Sequence, residues 1–417
     1  MHATMRNEED RRSRIMSEAA AHFLRDGYER TSIDRIAAGA RVSKQAIYEL
    51  CRDKEDLFEQ VVRAEMGIGL AQDLREEGDL RSTLEAFTID LIDKFATPRN
   101  YGLFRANIVA TRQFPQLAAA LHEYRRGASR GLVSCLERLE AQGVIGRISG
   151  SALDLSTRLG GMAVEGTRYF LGYDLPNRSQ RWDQARLAVE FFLNGMGKAC
   201  RADGVDSYPT CCAALPPWEG KAQLRLKPDR FAALCRAAAD EFLAHGFEGA
   251  SLDRIMAATG VGRSTIYRQF GNKNGLFRYV IGREVEALAA LELDVPEGAD
   301  LGARLKLLSR AALDLHLMPR SIAMHHLLVQ ESALFPEIAR YFYDTQVNRL
   351  GRPFQRMMES EGLGAPAPAV MRVFHTLATF GVRYIASLRA VEAEERDAVS
   401  DQAAAIMMHG TIKRDSR

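Results

Sequence analysis

The chain has 417 residues, with 56 Lys+Arg against 54 Asp+Glu, 47% hydrophobic and 26% charged residues. That length implies two to four compact units, and the balanced charge excludes a chain-wide basic field as a source of nucleic-acid affinity. No run approaches the roughly 18 uncharged apolar residues of a membrane helix, Met1 to Arg14 has no apolar signal core, and six cysteines are too few for a disulfide framework. The expectation is a cytoplasmic protein with reduced thiols and no membrane association.

In chain order, a first helix is expected from Arg11 to Arg25, stopping at Gly27, where a left-handed residue ends a helix without strain. A short helix follows from Ile33 to Ala38, capped by Ser32, with Asp34 near its positive end. Ala40-Arg41-Val42 makes a turn beside Gly39, and a second short helix runs from Ser43 to about Leu50. Two short helices joined in this way form a helix-turn-helix, whose second member is sized for the DNA major groove. Lys54 then opens a longer apolar helix, and helical texture continues to about residue 200. Between Asp203 and Pro228, the residues Gly204, Ser207, Pro209, Pro216, Pro217 and Gly220 break every periodicity, which marks an extended linker.

Beyond the linker the chain repeats itself. Phe23-Leu24-Arg25-Asp26-Gly27-Tyr28-Glu29 returns as Phe242-Leu243-Ala244-His245-Gly246-Phe247-Glu248, an offset of 219 residues that holds without a gap to Leu57-Phe58 and Leu276-Phe277. Ser32, Asp34, Arg35, Ile36, Val42, Ile47, Tyr48 and Lys54 recur as Ser251, Asp253, Arg254, Ile255, Val261, Ile266, Tyr267 and Lys273. Downstream, Pro98-Arg99 returns as Pro319-Arg320 and Phe114-Pro115 as Phe335-Pro336. Two full-length units therefore follow one another. Ser251 and Asp300 are further candidate helix starts, strand signals are nearly absent, and the fold class is all-α.

The candidate DNA-contacting residues are Thr31, Ser32, Ser43, Lys44, Gln45, Tyr48 and Lys54, with Ser251, Arg263, Ser264, Thr265, Tyr267 and Lys273 in the second unit. Ser43, Lys44 and Gln45, like Arg263, Ser264 and Thr265, stand at the exposed start of the second short helix. Lys and Arg suit guanine, Gln suits adenine, and a Thr methyl suits thymine. Tyr48 and Tyr267 lie one turn later; a phosphate contact and a packing role are both open to them. Lys54 and Lys273 place a cation near a helix N-terminus, a combination that favours a phosphate oxygen.

The linked pattern Phe-Leu-x-x-Gly-[Tyr/Phe], [Thr/Ala]-Ser-[Ile/Leu]-Asp-Arg-Ile, Val-x-x-x-x-Ile-Tyr and Lys-x-x-Leu-Phe resembles the DNA-binding domain of the TetR family of transcriptional regulators, over residues 11–64 and 230–284. The resemblance implies two consecutive units, each with a three-helix head on a helical body that binds a small-molecule ligand and dimerises. The expected boundaries are head 1 at 1–64, body 1 at 65–202, linker at 203–229, head 2 at 230–284 and body 2 at 285–417. It further implies an operator-binding regulator, a repressor released from double-stranded DNA by its ligand. The alternative is a ligand-binding or interaction scaffold with degenerate heads. The units are expected to pair as an intramolecular pseudo-dimer or, alternatively, as a homodimer.

The heads differ. Head 2 has Phe270 where the family buries an aromatic, and head 1 has Cys51. Residues 221–284 carry eleven Lys+Arg against six Asp+Glu, whereas residues 11–64 carry eleven against nine, so head 2 should bind DNA more strongly. In the bodies, Arg168-Tyr169 and Arg383-Tyr384 sit in apolar helices and are candidates for an anionic ligand, with an ion pair to Glu165 as the structural alternative. His316, His325 and His326 lie near Gln330 and Glu331, but adjacent histidines share no helix face, and no metal is expected. Cys200, Cys211 and Cys212 near the linker are read as incidental thiols, with redox sensing the alternative. No catalytic motif and no cofactor loop is present, so no enzyme and no cofactor is expected.

Overall fold

The structure, a computed structural model, describes residues 2–28, 30–67, 78–111, 114–128, 130–145, 151–196, 226–293, 295–296, 298–379, 381, 386 and 389–411. Among the described residues there are 20 α-helices and no strand. Head 1 consists of α1 (His2–Asp26), α2 (Ile33–Ala40), α3 (Lys44–Tyr48) and α4 (Lys54–Gly67). Body 1 adds α5 (Leu80–Phe95), α6 (Pro98–Ala110), α7 (Pro115–Ala128), α8 (Val133–Ala141), α9 (Ala152–Val164), α10 (Gly166–Phe170) and α11 (Arg178–Asn194). Head 2 has α12 (Pro228–Gly249), α13 (Leu252–Thr259), α14 (Arg263–Phe270) and α15 (Lys273–Ala289). Body 2 has α16 (Leu301–His316), α17 (Pro319–Glu331), α18 (Pro336–Ser360), α19 (Pro368–Thr379) and α20 (Ala393–His409).

The four expected capping residues are N-caps. Ser32, Ser43, Ser251 and Asp300 accept the amides of Arg35, Ala46, Arg254 and Ala303, satisfying donors that the first turn leaves orphaned. Several boundaries move, among them the end of α2, which runs to Ala40 where Ala38 was expected. Helix α1 starts at His2, before Arg11; α3 stops at Tyr48, short of Leu50; and α12 starts at Pro228, inside the stretch assigned to the linker. Proline suits a first helical position because its missing amide would have no partner there.

Aromatic clusters fix each head to its body. Phe23 and Phe58 meet edge-on at 5.1 Å, and Tyr28 reaches Phe114 of the body at 5.1 Å. The second unit repeats this with Phe242–Phe277 at 5.0 Å and Phe247–Phe335 at 5.0 Å. The recurring Phe-Pro dipeptide is therefore the body's contribution to the head–body joint, with the proline opening the next helix.

The two units pack on one another through equivalent helices: α9 on α19, α11 on α20, and α6 on α17. Like against like is the arrangement of a two-fold dimer, here within one chain. The axis passes close to Gly195 and Gly410, which cap α11 and α20 with φ 65° and ψ −158° and −157°, a region open essentially to glycine alone. A Cβ at Gly195 would lie 2.8 Å from the Gly410 nitrogen, and one at Gly410 would enter the Leu193 backbone. The Thr411 amide donates to the Phe192 carbonyl at 2.7 Å, joining the two strips of backbone.

Candidate nucleic-acid interface

The start of each recognition helix, α3 and α14, stands in solvent. Lys44, Gln45 and Tyr48 are exposed in head 1, as are Arg263, Ser264 and Tyr267 in head 2, with Thr265 half-buried. Tyr48 and Tyr267 keep 51% and 40% of their surface, so neither is a core aromatic. Lys44 Nζ lies 2.5 Å from Asp34, and Arg263 Nη2 lies 2.6 Å from Asp253, the same pairing at equivalent positions. Each hydrogen-bonded carboxylate raises the pKa of its cation. Both pairs stand in water and are strongly screened, so DNA can displace the acid at little cost.

Lys54 and Lys273 stand at the first positions of α4 and α15, and each is also held over an aromatic ring. Lys54 sits 4.3 Å over the Tyr28 ring, and Lys273 sits 5.1 Å over Phe247 while donating to the Glu248 carbonyl at 3.1 Å. The aromatic after Gly27 or Gly246 thus holds the lysine beside the head, a role the motif alone does not disclose. Thr31 is turned inward and buried, its hydroxyl donating to the Gly27 carbonyl at 2.7 Å. It closes the turn after α1 and presents no side chain to DNA. Ser32, Ser43 and Ser251 spend an acceptor on their caps.

Arg41 escaped the sequence reading as a candidate contact. It occupies the helix-turn-helix turn at φ 56°, where the second unit has Gly260 at φ 63°. A non-glycine residue there costs about 1–2 kcal/mol, and Arg41 is exposed. Aligning the repeats was the available signal: an arginine opposite a glycine at a left-handed turn. The aromatic difference has a visible effect as well. Phe270 stacks on Phe231 and packs on Tyr279, whereas head 1 has Arg12, Cys51 and Gln60 at those positions, and the Cys51 thiol donates to the Ile47 carbonyl. Helix α14 runs three residues further relative to its motif than α3.

The two heads meet at one buried side chain of body 2. Glu331, at the end of α17, accepts the Phe247 amide of head 2 at 3.1 Å and pairs with Arg30 of head 1. Burial pushes this carboxyl above its ordinary range, against the pull of Arg30. One carboxylate therefore ties both heads to the same helix.

Of the candidate ligand residues, Arg168 is buried against Glu165 at 3.4 Å, with its guanidinium 4.6 Å from the Tyr173 ring. Glu165 also faces Arg372 of the second unit at 3.5 Å, and Tyr173 donates to Asp344 of the second unit at 2.5 Å. The ion-pair reading of Arg168 is thus realised, as part of a network across the unit interface. Tyr169 accepts from Gln184 at 2.6 Å and lines a groove between α1 and its body. Arg383 and Tyr384 lie outside the described residues, as do Cys200, Cys211 and Cys212. Burial pushes the Cys51 and Cys235 thiols up to about 11. His316 donates through Nδ1 to the Ala312 carbonyl at 2.6 Å and accepts at Nε2 from His375 at 3.1 Å, while His325 is buried elsewhere on α17. Among the described residues, no three His, Cys, Asp or Glu side chains converge as metal ligands.

The family model for bacterial regulatory proteins of the tetR family matches residues 15–61 and again residues 234–280. Both heads are TetR-family DNA-binding domains. The duplication seen in the sequence is a duplication of the TetR unit, and the two matched segments run from within α1 to within α4 and from within α12 to within α15. Over 62 residues the chain is 45% identical to the HTH-type transcriptional repressor ComR of Escherichia coli, a span of 15% of this chain and 29% of that protein. It is 43% identical over 61 residues to the HTH-type transcriptional repressor SCO4008 of Streptomyces coelicolor, covering 15% and 32%. The match thus spans about a third of each curated relative. A crystal structure of a TetR family transcriptional regulator from Pseudomonas syringae shares 21% identity over 43% of this chain and 92% of its own, with a TM-score of 0.35. No helix among the described residues is long and apolar enough to cross a membrane.

Proposed function

We propose that this chain is a DNA-binding transcriptional regulator that carries both half-site readers of one operator in a single polypeptide. The observation that carries the reading is the pair of TetR-type heads with exposed cationic recognition helices, held on bodies that pack like against like. Two recognition helices fixed in one body read half-sites about 34 Å apart, or a multiple of that. Because α3 offers Lys44 and Gln45 where α14 offers Arg263 and Ser264, the half-sites are unlike. Head 2, with its larger basic surplus and aromatic core, binds more tightly. Repression is the proposed mode, in keeping with the names of the two curated relatives, and a small molecule binding the bodies relieves it by favouring one head separation. The proposed setting is the cytoplasm.

Selection of random duplex DNA by the purified chain, at low and physiological salt, tests this. The expected product is a site with two unlike half-sites bound by one chain. Lys273→Ala should weaken binding on every sequence and lower the salt slope by about one, and Arg263→Ala should relax preference at one base position. A palindrome bound by two chains would overturn the internal pairing, and no enrichment at either salt would overturn the regulator reading.

A further inference from the structure

The two units share a joint between head and body but complete it differently. In unit 2, Arg320 at the start of α17 pairs with Glu284 of α15 at 2.7 Å and with Asp240 of α12 at 2.9 Å, so the arginine is held between two carboxylates. In unit 1, Arg99 at the start of α6 keeps the equivalent partner, Glu65 of α4, with Nη2 to Oε1 at 2.8 Å. The position equivalent to Asp240 is Ala21, which is exposed. Arg99 and Ala21 both line a groove of about 950 Å³ between α1, α4, α6 and α10. Unit 1 therefore has the clamp of unit 2 with one carboxylate left out and a cavity in its place.

Charge and shape in the groove follow the same division. Arg25, Arg99 and Arg105 line it with the single acid Glu65. The equivalent positions in unit 2 are Ala244, Arg320, His326 and Glu284, with Asp240 added. Arg105 donates to the carbonyls of Leu24 and Arg25 at the end of α1, so the groove's basic wall also joins body to head. Tyr101, Tyr169 and Phe170 line it as well, with Tyr101 edge-on to Tyr169 at 5.6 Å. The volume lies within the roughly 300–1,000 Å³ typical of small-molecule sites.

We propose that this groove binds an aromatic carboxylate whose acid group takes, against Arg99, the place that Asp240 takes against Arg320. The ring system lies on the tyrosine and phenylalanine wall, and the acid completes the bridge from α6 to α1. Binding would then fix head 1 to its body as head 2 is already fixed. That last consequence rests on the regulator reading; the binding itself does not.

Titration calorimetry on the full chain, without DNA, tests the site with 2-naphthoate and its uncharged isostere 2-naphthamide. One saturable site for the acid is expected, with the amide weaker by at least about tenfold. Ala21→Asp, which restores the acid of unit 2, should weaken naphthoate by at least about tenfold, while the similarly sized Ala21→Asn should stay within about threefold. Because residue 21 is exposed, both variants should melt within a few degrees of the parent, which controls for folding. Equal affinity for acid and amide, equal effects of Asp and Asn, or no saturable binding below about 5 mM would each overturn the proposal. A failed DNA selection leaves this result standing, and a failed titration leaves the DNA result standing.

Discussion

Removing the Glu331 carboxylate should free the two heads from one another. In Glu331→Ala, the Phe247 amide and the Arg30 guanidinium lose the same acceptor at once. An orphaned buried amide costs about 1–3 kcal/mol, and breaking a buried ion pair costs about 3–5 kcal/mol. Arg30 retains 22% of its side-chain surface in water, so its share falls below that range, and about 3–5 kcal/mol is expected for the variant as a whole. Glu331→Gln keeps an oxygen for the Phe247 amide and loses only the charge, so about 1–2 kcal/mol is expected. Urea midpoints at constant slope give the energies. Spin labels on exposed positions of α3 and α14 (Gln45→Cys and Ser264→Cys, with Cys200, Cys211 and Cys212 replaced by Ser) give the distance between heads. The distribution should broaden clearly in the Ala variant and slightly in the Gln variant. An unchanged distribution in Glu331→Ala, or equal energies for the two variants, would refute the reasoning.

Three further outcomes are expected. Gly410→Ala places a Cβ in the Leu193 backbone at a glycine-only conformation, so a loss of at least about 3 kcal/mol should lower the thermal midpoint by at least about 3 °C; an unaltered melt would refute the close approach at the axis. Phe270→Cys, which copies Cys51 into head 2, should cost about 2–4 kcal/mol through loss of the Phe231 and Tyr279 contacts, read as faster amide exchange in α14. Burial raises the Asp344 carboxyl from 3.8 to about 6, so the folded chain holds this proton more tightly than the unfolded chain does. Its stabilising effect is complete below the ordinary carboxylate range and is lost as pH rises through about 6. Asp344→Asn should therefore flatten that dependence and gain about 2–3 kcal/mol at neutral pH, measured by denaturation at several pH values.

Much of the fold was legible because its signals are local. Caps at Ser32, Ser43, Ser251 and Asp300 depend on residues three positions apart, and the heads' core repeats at a constant offset. The exposed cations of the recognition helices followed from the same register. What escaped the sequence depends on contacts between distant segments: Arg30 with Glu331, Arg372 with Glu165, Asp344 with Tyr173. Glu331 was noticed only as a neighbour of histidines, because nothing near it in sequence announces a partner 301 residues away. Thr31 was legible as a polar residue at a helix start, but not as one folded back on Gly27.

The pairings at the unit interface have a consequence for how this molecule can change. In a two-chain dimer, one substitution near the axis is always made twice, and both copies must be tolerated together. Here Arg158 donates to Gln402 and the Leu377 carbonyl while its counterpart in the second unit is Val373, and Glu165 meets Arg372, whose counterpart in the first unit is Thr157. Each half carries its own coding sequence for its side of the seam. A mutation at the axis is therefore felt once, and either half can drift toward a new partner residue while the other stands still. Covalent fusion has turned a symmetric constraint into two independent ones.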